Sequence, residues 1–457
     1  MATLPNGSAL STTGGVDAIL KEYYLGPVQE QLNNDVLLVQ RLESRSEDLV
    51  GRVAIVPLHT SRSGGIGAVG ESASLPIAGN QGFAKAQYDL KYLYGRVQVT
   101  GPAMAKTKSD VGAFLQVLKA ELDGIRNDLG KDLARQVYGY GDGVIATGTP
   151  TTTASAATRI ITLANWEPLR KGQLYVGCVV QLFIASTGAA VPATTGDYTI
   201  TATSIVGAAS STITVSSAAT AITNVAHTIA RAGSVTDGTT RYGTGTRSNE
   251  VDGLQRIITT VAPTSNTNTV SGTAATDEAG SGGYLGNISA YTNNYWDNQR
   301  TAVGGALTLQ AMQTMANTIR TKGGQTSMIV TSLGVMREFY RLLTFVNGAS
   351  TPIFDPSAGT MDFKAGFNSV SYNGVPVVGD IDAPYGNMYF LDESTLKVFS
   401  DQDWHFLDAD GQTLRQVIGY DAYEAILTRY MNLGATNRAK NGVLSGITVN
   451  GSTDTGV

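Results

Sequence analysis

Few residues in this chain have the types and spacing that chemistry requires. Gly65-Ile-Gly67-Ala-Val-Gly70 has the G-x-G-x-x-G spacing of a dinucleotide-binding turn and follows the apolar run Arg52–Thr60. That chemistry needs the last glycine to open a helix whose N-terminus faces a pyrophosphate. Here Glu-Ser-Ala-Ser-Leu-Pro follows, Pro76 comes six residues after Gly70, and no helical period starts, so the run reads as a loop tip. His59, His227 and His405 lie in separate blocks without metal-site spacing, and each reads as structural or surface. Asp401-Gln-Asp403 and Asp408-Ala-Asp410-Gly411 suggest a calcium loop. They lack the full ligand series and the twelfth-position Glu, so they read as turns. No Gly-x-Ser-x-Gly nucleophile elbow is present. Cys178 is the single cysteine; it cannot form an internal disulfide and reads as a buried free thiol within Val176–Ile184. The expectation is no catalytic residue, no cofactor and no metal.

Composition points the same way. Only 15% of the 457 residues are charged, against about 25% in an ordinary soluble domain. Apolar residues make up 42%, enough for a substantial core and too many for a disordered chain. The net charge of −5 leaves no basic excess to neutralise phosphates, which argues against sequence-specific DNA binding. The segment MATLPNGSALSTTGG lacks the basic and apolar regions of a signal peptide, and no stretch reads as a membrane span. The expectation is a soluble, cytoplasmically made protein of two or three domains.

Several blocks must position whatever the chain does. Val16–Glu43 carries short amphipathic pieces separated by Gly26-Pro27, an arm with helical turns. Arg52–Thr60 is strand-like, Ser61–Gly82 is Gly, Ser and Ala without period, and Gln87–Thr100 returns with strand character. A structureless tip of that length inside a compact domain is improbable. The pattern therefore predicts a β-hairpin that projects and rests on a neighbouring molecule. Its charged residues Arg62, Glu71, Lys85, Asp89, Lys91 and Arg96 read either as solvated positions or as inter-subunit contacts.

The strongest helix follows. Val111, Phe114, Leu115, Leu118, Leu122, Ile125, Leu129, Leu133 and Val137 recur with a period near 3.6, with Ser109 or Asp110 as cap and Gly139-Tyr-Gly-Asp-Gly143 as terminator. Some 28 residues would span about 42 Å. Between Ala146 and Ala230 only five charges remain, and strand-like runs alternate with Gly/Ser/Ala turns, which predicts a small β-barrel or sandwich. The rest reads as α+β. It includes a helix with Leu307, Ala311, Met315 and Ile319 on one face and Gly323 at its end, the buried strand Ser327–Ser332, a second helix from Ser332, and strands through Tyr420–Gly434.

Those blocks, in that order, resemble the major capsid protein of tailed bacteriophages, the Hong Kong 97-type fold. The residues that carry the resemblance are GRVQVTGPAMAKTKSDVGAFLQVLKAELDGIRNDLGKDL, VDGLQRIITTV with GNISAYTNNYWDN, YNGVPVVGDIDAPYGNMYFLDESTLKVF and YEAILTRYMNLGATNR. They span about Val16–Ile447, apart from the insertion. The resemblance implies an N-terminal arm (1–51), an extended loop (52–101), and a spine helix with the start of a peripheral domain (102–145). It further implies an inserted β-domain (146–232), a peripheral return with a polar linker (233–306), and an axial domain with closing peripheral strands (307–457). Some relatives join subunits through a Lys–Asn isopeptide bond assisted by a Glu. Lys85, Lys91 and Asn373 are of the right types, but no local motif fixes a match.

The function implied is a structural one. Copies would self-assemble into pentamers and hexamers of an icosahedral shell in the host cytoplasm, becoming a virion capsid around double-stranded DNA. The partners implied are a separate scaffolding protein, a portal, decoration proteins and non-specific contact with packaged DNA, with no membrane. The runner-up is a phage tail or surface-array protein with a β-domain, against which the long isolated helix argues. A cargo-storing nanocompartment is a third reading.

Overall fold

Val, Ile and Thr favour pleated, half-buried surfaces, and the chain is mostly strand with five helices among the described residues. The structure is a computed structural model. It describes residues 38, 41–42, 46–48, 53–71, 73–102, 111–151, 158–184, 190–191, 197–205, 211–216, 222, 225–231, 249–263, 285–286, 288–346, 370–407 and 414–449. Most of the arm Val16–Glu43, the cap at Ser109 or Asp110, the polar linker 264–283 and the Asp408–Gly411 turn lie outside these residues.

β1 (Ser46–Asp48), β2 (Val53–Ser61), β3 (Gly82–Asp89) and β4 (Lys91–Thr100) precede the long helix α1 (Val111–Tyr138). The stretch read as one returning strand is two. β2 and β3 form a two-stranded hairpin, whereas β4 belongs to a different sheet. α1 has the 28 residues its periodicity predicts and stops at Gly139-Tyr-Gly-Asp-Gly143, where Gly141 and Gly143 take left-handed backbone at φ +71° and +72°. Leu122 and Ile125 pack on Val97 and Val99 of β4, while Leu133, Val137 and Tyr138 enter the central core. Gly95 is required where α1 crosses β4, because a Cβ there would collide with Leu129 and Ile125.

After α1 come β5 (Val144–Pro150), β6 (Thr158–Leu163), α2 (Glu167–Arg170), β7 (Val179–Ile184), β8 (Ala190–Val191), β9 (Tyr198–Ser204), β10 (Thr212–Ser216) and β11 (His227–Arg231). Their hydrogen-bonded order is β11-β5-β6-β10-β9-β7, and β7 pairs back to β11, so six strands form a closed ring with β8 added on β7. The interior is apolar, with Ile161, Val180, Leu182, Ile200, Ile213, Val215 and Ile229 among its residues, and it contains Cys178. Burial of the thiol raises its pKa, as expected for an inert structural cysteine.

α3 (Leu254–Ile257), β12 (Gln299–Gly305), α4 (Leu309–Thr321), β13 (Met328–Thr331), α5 (Leu333–Val346), β14 (Val370–Tyr372), β15 (Val375–Gly379), β16 (Met388–Leu391), β17 (Leu396–Phe406), β18 (Arg415–Gln416), β19 (Ala422–Ala435) and β20 (Gly442–Ile447) complete the chain. A mixed six-stranded sheet runs β12-β20-β16-β13-β15-β14. Cover on both faces explains why every position of β13 and β16 is buried. Ile329, Phe390 and Leu444 face α4 and α5, while Met328, Val330, Tyr389, Leu391 and Val443 face the central core. Each such side chain contributes about 1.5–3 kcal/mol on burial. On α4, Met312, Met315 and Ile319 are the buried residues, and Ala311 is only half-buried.

The five-stranded sheet runs β1-β17-β19-β18, with β4 pairing β19 over ten residues. Asp401 and Asp403, expected in a turn, lie within β17, where the register with β19 shifts between Ser400 and Gln402 and again before His405. Both side chains are exposed, so the strand carries them without a turn. Among the described residues no group of three His, Cys, Asp or Glu is placed to hold a metal, and no helix is long and apolar enough to cross a membrane.

Candidate assembly surfaces

The β2–β3 hairpin has two unlike faces because its side chains alternate. Ala54, Leu58, Ala86 and Tyr88 point into the central core, and the Tyr88 hydroxyl donates to Ala435 O at 2.7 Å. Ile55 and Phe83 point outward, and beyond them the described residues of the tip, 62–71 and 73–81, are irregular. Ile66, Leu75, Ile77 and Phe83 are 74–90% exposed. The tip is nonetheless ordered internally: Ser63 Oγ donates to Gly79 O at 2.8 Å, and His59 Nε2 lies 2.6 Å from Gln81 Oε1. Four large apolar side chains are thus held in water along this ribbon.

The six charged candidates do not form one site. Arg62 and Glu71 are exposed on the tip, and Lys85 and Asp89 are exposed on β3. Lys91 and Arg96 are on β4, so they are not part of the hairpin; this corrects the sequence reading, which ran one strand through Leu90. Arg96 donates to Glu424 Oε2 at 2.6 Å across the β4–β19 pair, within its own chain. On the same face Tyr92, Tyr94 and Tyr430 pack edge to face, with Tyr92 and Tyr94 about half exposed, and His405 also meets Tyr430 edge to face. This aromatic face was missed in the sequence, although the alternation Tyr92-x-Tyr94-x-Arg96 could have signalled it.

A buried ionic joint was also missed. Arg135 near the end of α1 donates to Glu250 Oε1 at 2.6 Å and to Asp132, which also meets Arg231 of the ring at 3.4 Å. Burial opposes the Arg135 charge, yet Glu250 and Asp132 more than offset it and hold the guanidinium above its ordinary value. Gln136 adds to the joint by accepting from Val251 N at 3.1 Å. Nearby, Tyr138 donates to Asp380 at 2.7 Å, and burial pushes the Asp382 carboxyl up to about 6 despite Lys171. His59 and His405 are on exposed or half-buried strand positions, and His227 is fully buried inside the ring. No nucleophile, base and orienting group converge among these residues.

The arrangement of sheets, hairpin and helix is similar over nearly all of its length to a chain of the cyanophage A-1(L) capsid asymmetric unit. The TM-score is 0.53 at 13% identity, covering 96% of this chain and 100% of that chain. The chain has the fold of a phage capsid protein. Lower similarity relates this capsid fold to a capsid chain of a native GTA particle, with a TM-score of 0.47 at 11% identity and coverage of 96% and 100%. A chain of Mycobacterium phage Bobi gives 0.43 at 12% identity, with 96% and 99% covered. No protein-family model and no curated protein matches the sequence.

Proposed function

We propose that this chain is the major capsid protein of a tailed bacteriophage, a Hong Kong 97-type subunit that self-assembles into the pentamers and hexamers of an icosahedral shell around double-stranded DNA. The observation that carries the reading is the apolar hairpin tip, held in water on a body with a capsid fold. Shell walls hold by many modest interfaces, and a low content of Lys, Glu and Asp suits surfaces that become interface cores.

In this reading α1 is the spine helix and residues 52–89 are the extended loop. The β5–β11 ring is an inserted domain, the six-stranded sheet with α4 and α5 is the axial domain, and the five-stranded sheet is peripheral. Arg62, Glu71 and Lys85 meet a neighbouring subunit, whereas Arg96 serves its own sheet. A separate scaffolding protein, a portal and decoration proteins are the expected partners, and contact with packaged DNA is non-specific. The role needs no cofactor and no catalysis.

Negative-stain electron microscopy of the expressed protein, alone and with a scaffolding protein from its gene neighbourhood, tests this. Uniform polyhedral shells or five- and six-fold rings are expected. Monomers under both conditions, or tubes and flat arrays, would turn the reading toward a tail or surface-array protein.

A further inference from the structure

His227 stands at the first position of β11, the strand that closes the ring. It is paired on one side with Gly148 of β5 and on the other with Ile184 of β7. Without β11 the other five ring strands make an open row, β5-β6-β10-β9-β7, with β8 still on β7. Four consecutive residues of β11, His227 through Ala230, are fully buried.

The imidazole has a defined tautomer. Nδ1 lies 2.6 Å from Val225 O, and a carbonyl can only accept, so Nδ1 carries the proton. Nε2 is then a bare acceptor, and it is buried without a hydrogen-bond partner. It shares its face with Ile184 and with Ile229 of the ring core. A second proton would place a charged N–H among apolar side chains with nothing to receive it.

Among the described residues no charged partner bonds the imidazole. β5 and β7 contribute no ionisable side chain. On its own strand Arg231 is turned toward Asp132, and the Cys178 thiol of the same core is held neutral by burial.

We propose that His227 is an acid-sensitive latch on the ring. Neutral imidazole permits β11 to sit between β5 and β7, and protonation favours a state in which β11 has left its place. The latch is independent of what the assembled protein encloses. It also reaches the body of the molecule, because Arg231 at the end of β11 meets Asp132 in the ionic joint on α1.

The sign follows from the environment. Burial first lowers the His227 pKa below the ordinary 6.5, and the Val225 contact only partly opposes it. The opened form therefore binds the proton more tightly, and closure weakens as pH falls below about 6.5. A histidine that stays neutral while the ring is closed limits the effect to about a 30-fold rise in the opening equilibrium at pH 5.

Hydrogen exchange of the full chain at pH 7.5 and pH 5, corrected for intrinsic rates, tests the latch. Protection of β11 and of the β5 and β7 amides facing it should fall more than tenfold at pH 5, while β9 and β10 keep theirs. His227→Leu should hold β11 protection constant across the same range. Unchanged protection in the wild type, or an equal loss in His227→Leu, would overturn the proposal.

Should His227→Leu fail to form the ring, exchange at the imidazole C2 carbon of the wild type decides by itself. A titration midpoint below 6.5 that coincides with the loss of β11 protection is expected. A midpoint at or above 6.5 would overturn the latch.

Discussion

Arg135 and Glu250 are 115 residues apart in sequence, and their side chains meet at 2.6 Å in the buried interior. The whole β5–β11 ring lies between them in the chain. The segment therefore leaves the body at the end of α1 and returns beside its own point of departure, where Val251 N bonds Gln136.

That closure gives the first prediction. Removing one member of a buried ion pair costs about 3–5 kcal/mol when its partner is left alone, and Arg135 here keeps Asp132. Glu250→Ala should lower the unfolding free energy of the body, read from a urea titration, by less than that figure. A double Arg135→Met, Glu250→Leu variant should recover most of it, since an apolar pair of similar volume carries no such charge. A double variant as unstable as the single would show that the charges are needed for more than each other.

Because entry and exit are adjacent, the ring should be dispensable for folding of the remainder. Replacing residues 144–248 with a short Gly-Ser linker should give a soluble protein whose circular dichroism retains the α1 helix signal. A product found only as aggregate would mean that the body needs the ring.

The hairpin makes a separable prediction. Its base is packed by Ala54, Leu58, Ala86 and Tyr88, while its tip is solvent-exposed. Cutting Ser61–Gly82 to a short turn should leave thermal stability within a few degrees of the full chain but abolish particles seen by electron microscopy. Particle yield at the full-length level would remove the tip from assembly.

Asp382 predicts a pH dependence of the opposite sense to the usual carboxylate. Burial raises its pKa from 3.8 to about 6, with Lys171 pulling down and Asp380 pushing up. The folded state thus holds this proton more tightly than the unfolded state. Its contribution to stability is present below about pH 4 and is lost as pH rises through 6. Asp382→Asn should melt higher than the wild type at pH 7, with the difference vanishing near pH 4. A constant difference at every pH would place its effect in packing.

Much of this architecture was legible where it is local. The α1 face follows from one uninterrupted 3.6-residue period, and the asparagine of the β14–β15 turn, Asn373 at φ +51° before Gly374, belongs to a turn dipeptide visible in the sequence. The division of β3 from β4 was legible in principle and was overlooked. Buried positions run Ala86, Tyr88, Leu90 and then Leu93, Gly95, Val97, Val99, so the two-residue alternation changes phase at Leu90. The ring's strands follow from Thr, Val and Ile content, but its closure depends on β11 meeting both β5 and β7. No local pattern encodes that. Arg135, Asp132 and Glu250 looked like ordinary solvated charges because their partners come from distant parts of the chain.

Leu90 is the single residue between β3 and β4, and it is buried. So short a joint leaves the hairpin no room to swing free of the sheet. A push on Leu75 or Ile77 in the tip would therefore reach β4 as a torque instead of being absorbed by a slack joint. Ten continuous pairings carry that torque into β19. Whatever grips the tip also grips, at a distance, the sheet from which it springs.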